Sequence, residues 1–474
     1  MNFDSAQYLG LLAATLIVMR LLPGDRLRHL LLLLASYGFY AAWDWRLLGL
    51  VLRVTGLSFV GGLMIGARRT EGRNTSVTLA VFVGLLLLPL AVFKYFDFFS
   101  LSLAELVSRL GWHCDGVTLH RLLPIGISFY TFHAISYVAD IQAGRLGAER
   151  SLIRYGLYIC FFPQLIAGPI VRSTDFLPQL HRQWQPPSAG DVARHLARFV
   201  WGMAKKILIA DRLAAAIVDP AFADPAAIDA LTAALAAIAF TVMIYADFSG
   251  YSDMAIASAG LLGYRFKENF QAPYLAAGVR EFWRRWHISL SSWIRDYVYI
   301  GLGGNRSPGR WRPLVNLAVA MFLCGLWHGA AWTYVLWGLW HGVALGLERL
   351  LGKAGPVTLF GRIVHWAVTM TVVVLGWILF RARDLPQTMA FLGAFFDSGR
   401  THAPYQFALW LVLGLSGLLV LVEHVVIERR RGRPAASGGI WTGLHVAAAC
   451  ILGLMLLFLS SPNVGARNFI YFQF

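Results

Sequence analysis

Long apolar runs separated by short polar segments recur along the whole chain. Each run is close to the roughly 20 residues that a helix needs to cross the hydrocarbon core of a membrane. A transmembrane barrel would instead alternate apolar and polar residues in segments of about ten, and the chain lacks this alternation. We therefore predict a polytopic, all-α integral membrane protein. The predicted spans are 7–22, 30–45, 50–67, 77–100, 122–140, 151–170, 195–217, 228–261, 314–330, 332–350, 361–380, 405–427 and 441–461.

Two of these spans contain residues that interrupt a simple apolar helix. The span at 122–140 is unusually polar, and groups such as His133 need partners inside the protein. The span at 151–170 contains Pro163 and Pro169, which break helical hydrogen bonding. Broken helices at membrane depth are tolerated where they line a cavity. A kinked helix that serves only packing is the alternative.

The segment 265–312 is the one long stretch that cannot span a membrane. Its basic residues are interleaved with Trp, Tyr and Phe, which is typical of an interfacial or re-entrant helix. Such a segment would also attract a negatively charged substrate from the cytosol. The basic residues are Arg265, Lys267, Arg280, Arg284, Arg285, Arg295, Arg306, Arg310 and Arg312.

Composition supports the membrane class and limits the partners. Only 14% of the residues are charged, whereas a soluble chain carries roughly 25%. The net charge of +16 comes from Lys and Arg in short loops between apolar runs, as the positive-inside rule expects. We therefore predict contact with anionic membrane lipids and no nucleic-acid partner. The four cysteines, Cys114, Cys160, Cys324 and Cys450, lack metal-ligand spacing, so neither a metal site nor a disulfide framework is predicted.

Two carboxylates lie in the middle of the apolar run 228–261. Asp247 and Asp253 belong to the polar sequence Tyr245–Met254. Ionised groups at membrane depth are costly and need compensation. We expect them either to line a wet cavity or to pair with the basic segment 265–312 that follows.

Two histidines are the candidates for chemistry. His287 lies in the basic, aromatic sequence Trp283–Trp293, and His328 lies in the apolar motif Gly-Leu-Trp-His-Gly. A neutral imidazole in apolar surroundings can serve as a general base, and a second histidine could help to stabilise an oxyanion. The alternative is that each is a hydrogen-bonded packing residue. The motif recurs around His341, 13 residues later. On a continuous helix the two histidines would be roughly 140° apart around the helix axis. We therefore expect His341 to have a supporting role and not a catalytic one.

Motifs of other chemistries are missing from the sequence. It has no Walker lysine loop, no dinucleotide glycine pattern, no His-Glu-x-x-His and no Gly-x-Ser-x-Gly. A carrier stays possible because broken helices and buried carboxylates also occur in transporters. Carriers, however, usually consist of two similar halves, and this chain does not.

Several sequence motifs together resemble those of the membrane-bound O-acyltransferase (MBOAT) superfamily. Within it, they are most similar to the bacterial branch of alginate O-acetylation membrane proteins. The resemblance covers nearly the whole chain. It rests on Ala35–Tyr40, Pro124–Phe132, Phe162–Gln164, Ala167–Ile170, Asp247–Asp253, Phe282–His287, Gly325–Gly329 and the terminal Phe469–Phe474.

The resemblance implies a fold of roughly 11–13 spans with re-entrant helices and a central tunnel. It implies one membrane-embedded domain over 1–474, with a catalytic core at about 122–350 and peripheral helices at 1–121 and 351–474. His328 matches the family's intramembrane histidine, and His287 matches its second histidine. We predict that substrate contacts come from Trp283, Arg284, Trp286, Trp327, Tyr251 and Asp253.

The resemblance also implies a reaction and its participants. An acyl group, expected to be acetyl, would pass from cytosolic acetyl-CoA or another acyl thioester across the bacterial inner membrane, and no cofactor would stay bound. A periplasmic SGNH-type acetyltransferase or a relay protein would then esterify an exported or cell-envelope polysaccharide such as alginate. D-alanyl transfer to a cell-wall polymer is the nearest alternative, and a carrier without acyl chemistry is the other.

Overall fold

The computed structural model describes residues 2–112, 115–119, 124–165, 168–306, 309, 311–352, 358–397 and 407–430. No residue in these ranges lies in a β-strand, and the all-α prediction is confirmed. The helices are α1 (Ala6–Leu21), α2 (Asp25–Asp44), α3 (Leu48–Thr70), α4 (Ser76–Leu90), α5 (Phe96–Arg109), α6 (Ile127–Gln142), α7 (Leu152–Cys160), α8 (Ser173–Leu180), α9 (Ala189–Ala204), α10 (Asp211–Leu213), α11 (Asp219–Ala223), α12 (Ala230–Leu261), α13 (Val279–Arg285), α14 (Ile288–Trp293), α15 (Arg312–His328), α16 (Trp332–Leu351), α17 (Leu359–Arg381), α18 (Leu385–Ala394) and α19 (Phe407–Arg430).

Short turns of other pitch join several helices. Among the described residues, the π-helical segments are Ala91–Tyr95, Lys205–Ala210, Ala214–Val218 and Ile294–Tyr299. The 3₁₀ turns are Trp45–Leu47, Pro225–Ala227, Pro273–Leu275 and Gly304–Arg306. The chain is therefore helical, with π-helical insertions, from α9 to α11. Insertions of this kind are frequent at functional sites.

Four described helical stretches are long and apolar enough to cross a membrane: Asp25–Thr70, Ser76–Arg109, Ala230–Leu261 and Leu359–Arg381. The helix α1 is apolar but shorter. These stretches agree with a membrane protein. The predicted span 441–461 lies outside the described residues, and the total number of spans stays a prediction.

The predicted span 151–170 is wrong as a single helix. The helix α7 has only nine residues. The described residues that follow it, 161–165 and 168–172, are turn, bend or coil. Pro163 explains the end of the helix, since proline removes a backbone donor. Gly168 returns so close to this turn that a Cβ there would lie 2.7 Å from the Gln164 Cα. The predicted break is thus present, but within a compact turn.

The polar helix α6 is enclosed by protein, as the sequence predicted. Fourteen of its 16 residues are buried. The ring of His133 accepts a hydrogen bond at Nε2 from the backbone N–H of Val171, at 3.2 Å. The buried carboxylate of Asp140 pairs with Arg145 at 2.9 Å. The bond from Val171 gives His133 a structural role, because it holds the segment after α7 against α6.

The described chain forms two compact units. The first contains Met1–Leu196 and Ala255–Lys267, and the second contains Ala197–Met254 and Glu268–Phe474. In the first unit, the hydroxyl of Tyr8 donates to Ser258 Oγ at 2.8 Å and ties α1 to the end of α12. The second unit holds both candidate catalytic histidines. The predicted single domain with its core at 122–350 stays a prediction.

Candidate active site

His328 is the last residue of α15 and is enclosed by aromatic rings. Its imidazole is 4% exposed. It makes edge contacts with Trp327, Trp337 and Phe380, with ring centroids 4.9, 4.9 and 5.1 Å apart. Such surroundings favour an uncharged imidazole, because a cation would lose its hydration and apolar rings do not compensate for that loss.

The repeated Gly-Leu-Trp-His-Gly motif builds a helical hairpin and not one continuous helix. The chain leaves the helix after His328 and begins α16 at Trp332. A Cβ at Gly325 would lie 2.2 Å from the Tyr334 carbonyl oxygen, and one at Gly338 would lie 2.3 Å from the Met321 oxygen. The glycines therefore let the two backbones approach closely, as small residues do in membrane helix pairs.

The hairpin changes the predicted relation between His328 and His341. We predicted that they lie on different faces of one helix, but both imidazoles contact Trp337, at 4.9 and 5.2 Å between centroids. His341 is fully buried, and Gly376 leaves room for it, since a Cβ there would lie 2.7 Å from its Nε2. The supporting role predicted for His341 stays a prediction.

His287 has a strained backbone that is fixed by hydrogen bonds. Its φ of 41° lies in the left-handed region, which is uncommon for residues other than glycine. The backbone N–H of Ile288 donates to the Asn269 carbonyl, and that of Gln271 donates to the Arg285 carbonyl, both at 2.9 Å. The loop before α13 thus holds the chain on both sides of His287.

The side chain of Asn269 orients the imidazole of His287. Its Oδ1 accepts hydrogen bonds from the Ser289 N–H at 3.2 Å and the Ser289 hydroxyl at 2.8 Å. The same oxygen lies 3.2 Å from Nδ1 of His287. Because an amide oxygen only accepts, Nδ1 carries the hydrogen, and the neutral ring has a lone pair at Nε2. Burial lowers the pKa of His287 to about 3, so the ring stays neutral.

The indole of Trp327 contacts both candidate catalytic histidines. Its centroid is 5.8 Å from that of His287 and 4.9 Å from that of His328. Trp283 joins the same cluster through edge contacts with Trp337 and His341, at 5.6 and 5.1 Å. The structure therefore brings four of the predicted site residues together.

Trp286 lies one aromatic layer further out. It is buried and stacks on Phe282 with 5.6 Å between centroids. Its centroid is 4.9 Å from that of Trp377, and Trp377 in turn stacks on Trp337 at 6.1 Å. Arg284, by contrast, is exposed on α13, so it shares no ring contact with this cluster.

Asp253 lies in a network of ion pairs. Its carboxylate is 2.6 Å from Lys205 Nζ and 2.7 Å from Arg198 Nη2, while Asp247 pairs with Lys206 at 2.8 Å. These basic residues come before the two carboxylates in the chain, whereas segment 265–312 comes after them. The expected pairing of the carboxylates with segment 265–312 is therefore wrong.

The other predicted substrate contact from α12, Tyr251, lies near one of these bases. Lys206 Nζ lies 5.8 Å from the centre of the Tyr251 ring. Substrate contact by Asp253 and Tyr251 stays a prediction.

Sequence reasoning missed Asn269, Trp337 and Phe380. Trp337 directly precedes the second copy of the repeated motif, Gly338–Gly342, but it is not part of the repeat. Asn269 is a single amide among charged and aromatic neighbours, and no spacing rule connects it to a histidine 18 residues later. Of the cysteines, Cys160 and Cys324 are buried free thiols, and Cys114 and Cys450 lie outside the described residues.

Comparisons with known proteins identify the family. The model of the MBOAT, membrane-bound O-acyltransferase family matches residues 127–383, which include both histidines. The chain is 43% identical to the probable alginate O-acetylase AlgI of Pseudomonas aeruginosa, over 84% of this chain and 75% of the relative. It is 39% identical to that of Pseudomonas putida over the full length of both. It is 33% identical to the peptidoglycan O-acetyltransferase of Helicobacter pylori, over 76% of this chain and 72% of the relative. The chain therefore belongs to the membrane-bound O-acyltransferase family and is an acyltransferase.

Proposed function

We propose that this chain is a multi-pass protein of the bacterial inner membrane that transfers acetyl groups for O-acetylation of an exported or cell-envelope polysaccharide. The named relatives support the acetyl group, because three of them are described as acetylases or acetyltransferases. Two of them support alginate as the polysaccharide. Family membership favours acyl chemistry over the carrier alternative.

One observation carries the chemistry: two buried imidazoles both contact the Trp327 indole. His328 takes the proton of an acceptor hydroxyl, whose oxygen attacks the carbonyl carbon of the acyl thioester. The carbon–sulfur bond then breaks, and the leaving thiolate takes the proton from the His328 imidazolium. The new ester and the free thiol balance the hydroxyl and the thioester.

The hydrogen bonds of His287 favour a different role from the one expected. A neutral ring with its hydrogen at Nδ1 offers a lone pair at Nε2, and it cannot donate a hydrogen bond to an oxyanion from that atom. In the proposed mechanism His287 accepts a hydrogen bond from a second donor of the acceptor, beside the hydroxyl that His328 deprotonates, and so holds that hydroxyl towards the thioester. Asn269 is its positioning residue.

The participants follow from this reaction. Acetyl-CoA or another acyl thioester is the donor on the cytosolic side, and the basic segment 265–312 favours its phosphates. A periplasmic SGNH-type acetyltransferase or a relay protein passes the acetyl group on to the polysaccharide.

The test is a deletion strain complemented with single variants. His328→Ala should abolish ester-linked acetate on secreted and envelope glycans, measured by mass analysis after mild alkaline release, with unchanged protein in the membrane fraction. His365→Ala is the matched control, because His365 is an exposed histidine on α17. Acetate retained in the His328 variant would reject the mechanism, and released D-alanine in place of acetate would favour the D-alanyl alternative.

A further inference from the structure

The first unit contains a polar cavity that plays no part in the chemistry above. Its volume is about 560 Å³, within the roughly 300–1,000 Å³ of small-molecule sites. Three arginines and two histidines line it beside a single carboxylate, so its lining favours an anion. The charged residues and histidines that line it are Asp25, Arg26, His29, Arg154, His181 and Arg182.

The nearby carboxylates are already engaged within the protein. Asp25 pairs with Arg28 at 3.0 Å and accepts the Trp184 N–H at 3.2 Å. Glu149 is buried and lies 3.0 Å from Arg154 Nη2 and 2.6 Å from His181 Nε2. These pairs hold the basic side chains in place and leave Arg26 and Arg182 exposed.

The charge of Glu149 makes this arrangement firm. Burial raises the pKa of its carboxyl, but hydrogen bonds from Arg154, Ser151 and His181 outweigh that effect and leave the pKa below its ordinary value. Glu149 is therefore ionised at neutral pH and keeps Arg154 and His181 fixed at the cavity.

Two helices begin at the cavity. Asp25 and Arg26 form the start of α2, and Ser151 caps α7 through a 3.4 Å bond from the Arg154 N–H. The first amides of a helix have no acceptor within the helix, and the helix dipole makes that end positive. Both features favour bound anions, and phosphate groups commonly occupy such positions.

His29 gives an independent sign of a ligand. It lines the cavity but is only 5% exposed. None of the described side chains or backbone groups forms a hydrogen bond with its imidazole. Its ring nitrogens stay open to the cavity, so the ring is placed to form a hydrogen bond with a group that enters.

We propose that this cavity binds a phosphate ester. Guanidinium groups fit phosphate oxygens in a planar, two-pronged geometry, and Arg26, Arg154 and Arg182 surround a space with two helix starts. The phosphate belongs either to a soluble phosphate ester, for which coenzyme A serves as the probe, or to the headgroup of an anionic lipid. The proposal goes beyond the proposed acetyl transfer and does not depend on it.

Binding by the purified full-length protein in a neutral detergent tests the proposal. One variant is the double substitution Arg26→Gln and Arg182→Gln, which removes two exposed cavity arginines. The matched control is Arg46→Gln with Arg73→Gln, which removes the same charge from arginines whose side chains are 78% and 70% exposed in the same unit. Coenzyme A is titrated by calorimetry, and retention of phosphatidylglycerol is measured by native mass spectrometry.

The two probes separate the sources of the phosphate. A roughly tenfold weaker binding of coenzyme A in the cavity variant alone would assign the site to a soluble phosphate ester. Loss of retained phosphatidylglycerol in that variant alone would assign it to a lipid headgroup. Equal behaviour of the cavity variant and the control with both probes would overturn the proposal, as would no binding of either probe by the unaltered protein. His29→Leu, with unfolding temperature measured alongside, should weaken the same probe without loss of folding.

Discussion

His287 combines a strained backbone with a fully satisfied Nδ1. A left-handed residue other than glycine costs about 1–3 kcal/mol and persists where the surroundings enforce it. Here the surroundings are the loop at Asn269, which bonds to the backbone of Ile288 and to the ring of His287. The strain therefore accompanies a ring orientation that the proposed reaction needs.

Removal of the Asn269 amide should disable this orientation. Asn269→Ala deletes the acceptor of the Nδ1 hydrogen, so we expect about 100-fold slower acyl transfer, the usual effect of a misplaced reacting group. Ser252→Ala is the control, because Ser252 accepts only the Asn269 amide N–H, at 3.0 Å. Both variants are assayed with purified protein and a radiolabelled thioester. Equal rates in both would show that Asn269 does not position the ring.

The low pKa of His287 also predicts how stability changes with pH. The unfolded imidazole titrates at 6.5, whereas burial lowers the pKa in the folded protein to about 3. Between these values the unfolded state binds more protons, so stability falls as the pH decreases below about 6.5. The loss from this one group approaches about 1.4 kcal/mol for each further pH unit. Thermal unfolding in detergent at pH 7 and pH 5 should therefore differ less for His287→Gln than for the unaltered protein, and an equal difference would contradict the assigned shift.

The hairpin of α15 and α16 shows what sequence patterns can and cannot predict. The apolar runs placed both helices to within about two residues, because each run ends close to the polar or glycine residues at which the helix stops. The glycine repeat is visible in the sequence, but its role in helix packing is not. A spacing of 13 residues predicts the relative orientation of His328 and His341 only if both lie on one unbroken helix. The turn after His328 and the partner of Asp253 depend on contacts between distant segments, which periodicity does not encode.

Substitution within this hairpin gives a direct test of close packing. Gly338→Ala would place a Cβ 2.3 Å from the Met321 carbonyl oxygen, so the helices must separate, at a cost of about 1–3 kcal/mol. Gly346→Ala on the same helix meets only a Leu314 methyl at 3.8 Å and should be neutral or slightly stabilising. Chemical unfolding in detergent compares the two. Equal stability of both variants would mean that the hairpin is looser than described.

Charge over the whole chain is divided between basic residues in loops and ion pairs inside the protein. In the second unit, Lys205 is 1% exposed and lies 2.6 Å from Asp253 and 2.8 Å from Glu423. Arg198 extends the network from Asp253 to Glu268. Since α9, α12 and α19 each contribute, the pairs connect helices that are far apart in sequence. A network of this kind gives Asp253 a structural role, while its contact with substrate stays a prediction.

Asp253→Asn separates this structural role from the predicted contact with substrate. The substitution leaves Lys205 buried with one carboxylate fewer, and the loss of one partner from a buried pair costs about 3 kcal/mol. We therefore expect a lower unfolding midpoint but an unchanged transfer rate and KM per folded molecule. Glu105→Gln is the control, because its pair with Arg109 has side chains 62% and 76% exposed and contributes less than about 1 kcal/mol. A raised KM with wild-type stability would instead support substrate binding by Asp253, since a carboxylate that contacts substrate can be lost without loosening the helices.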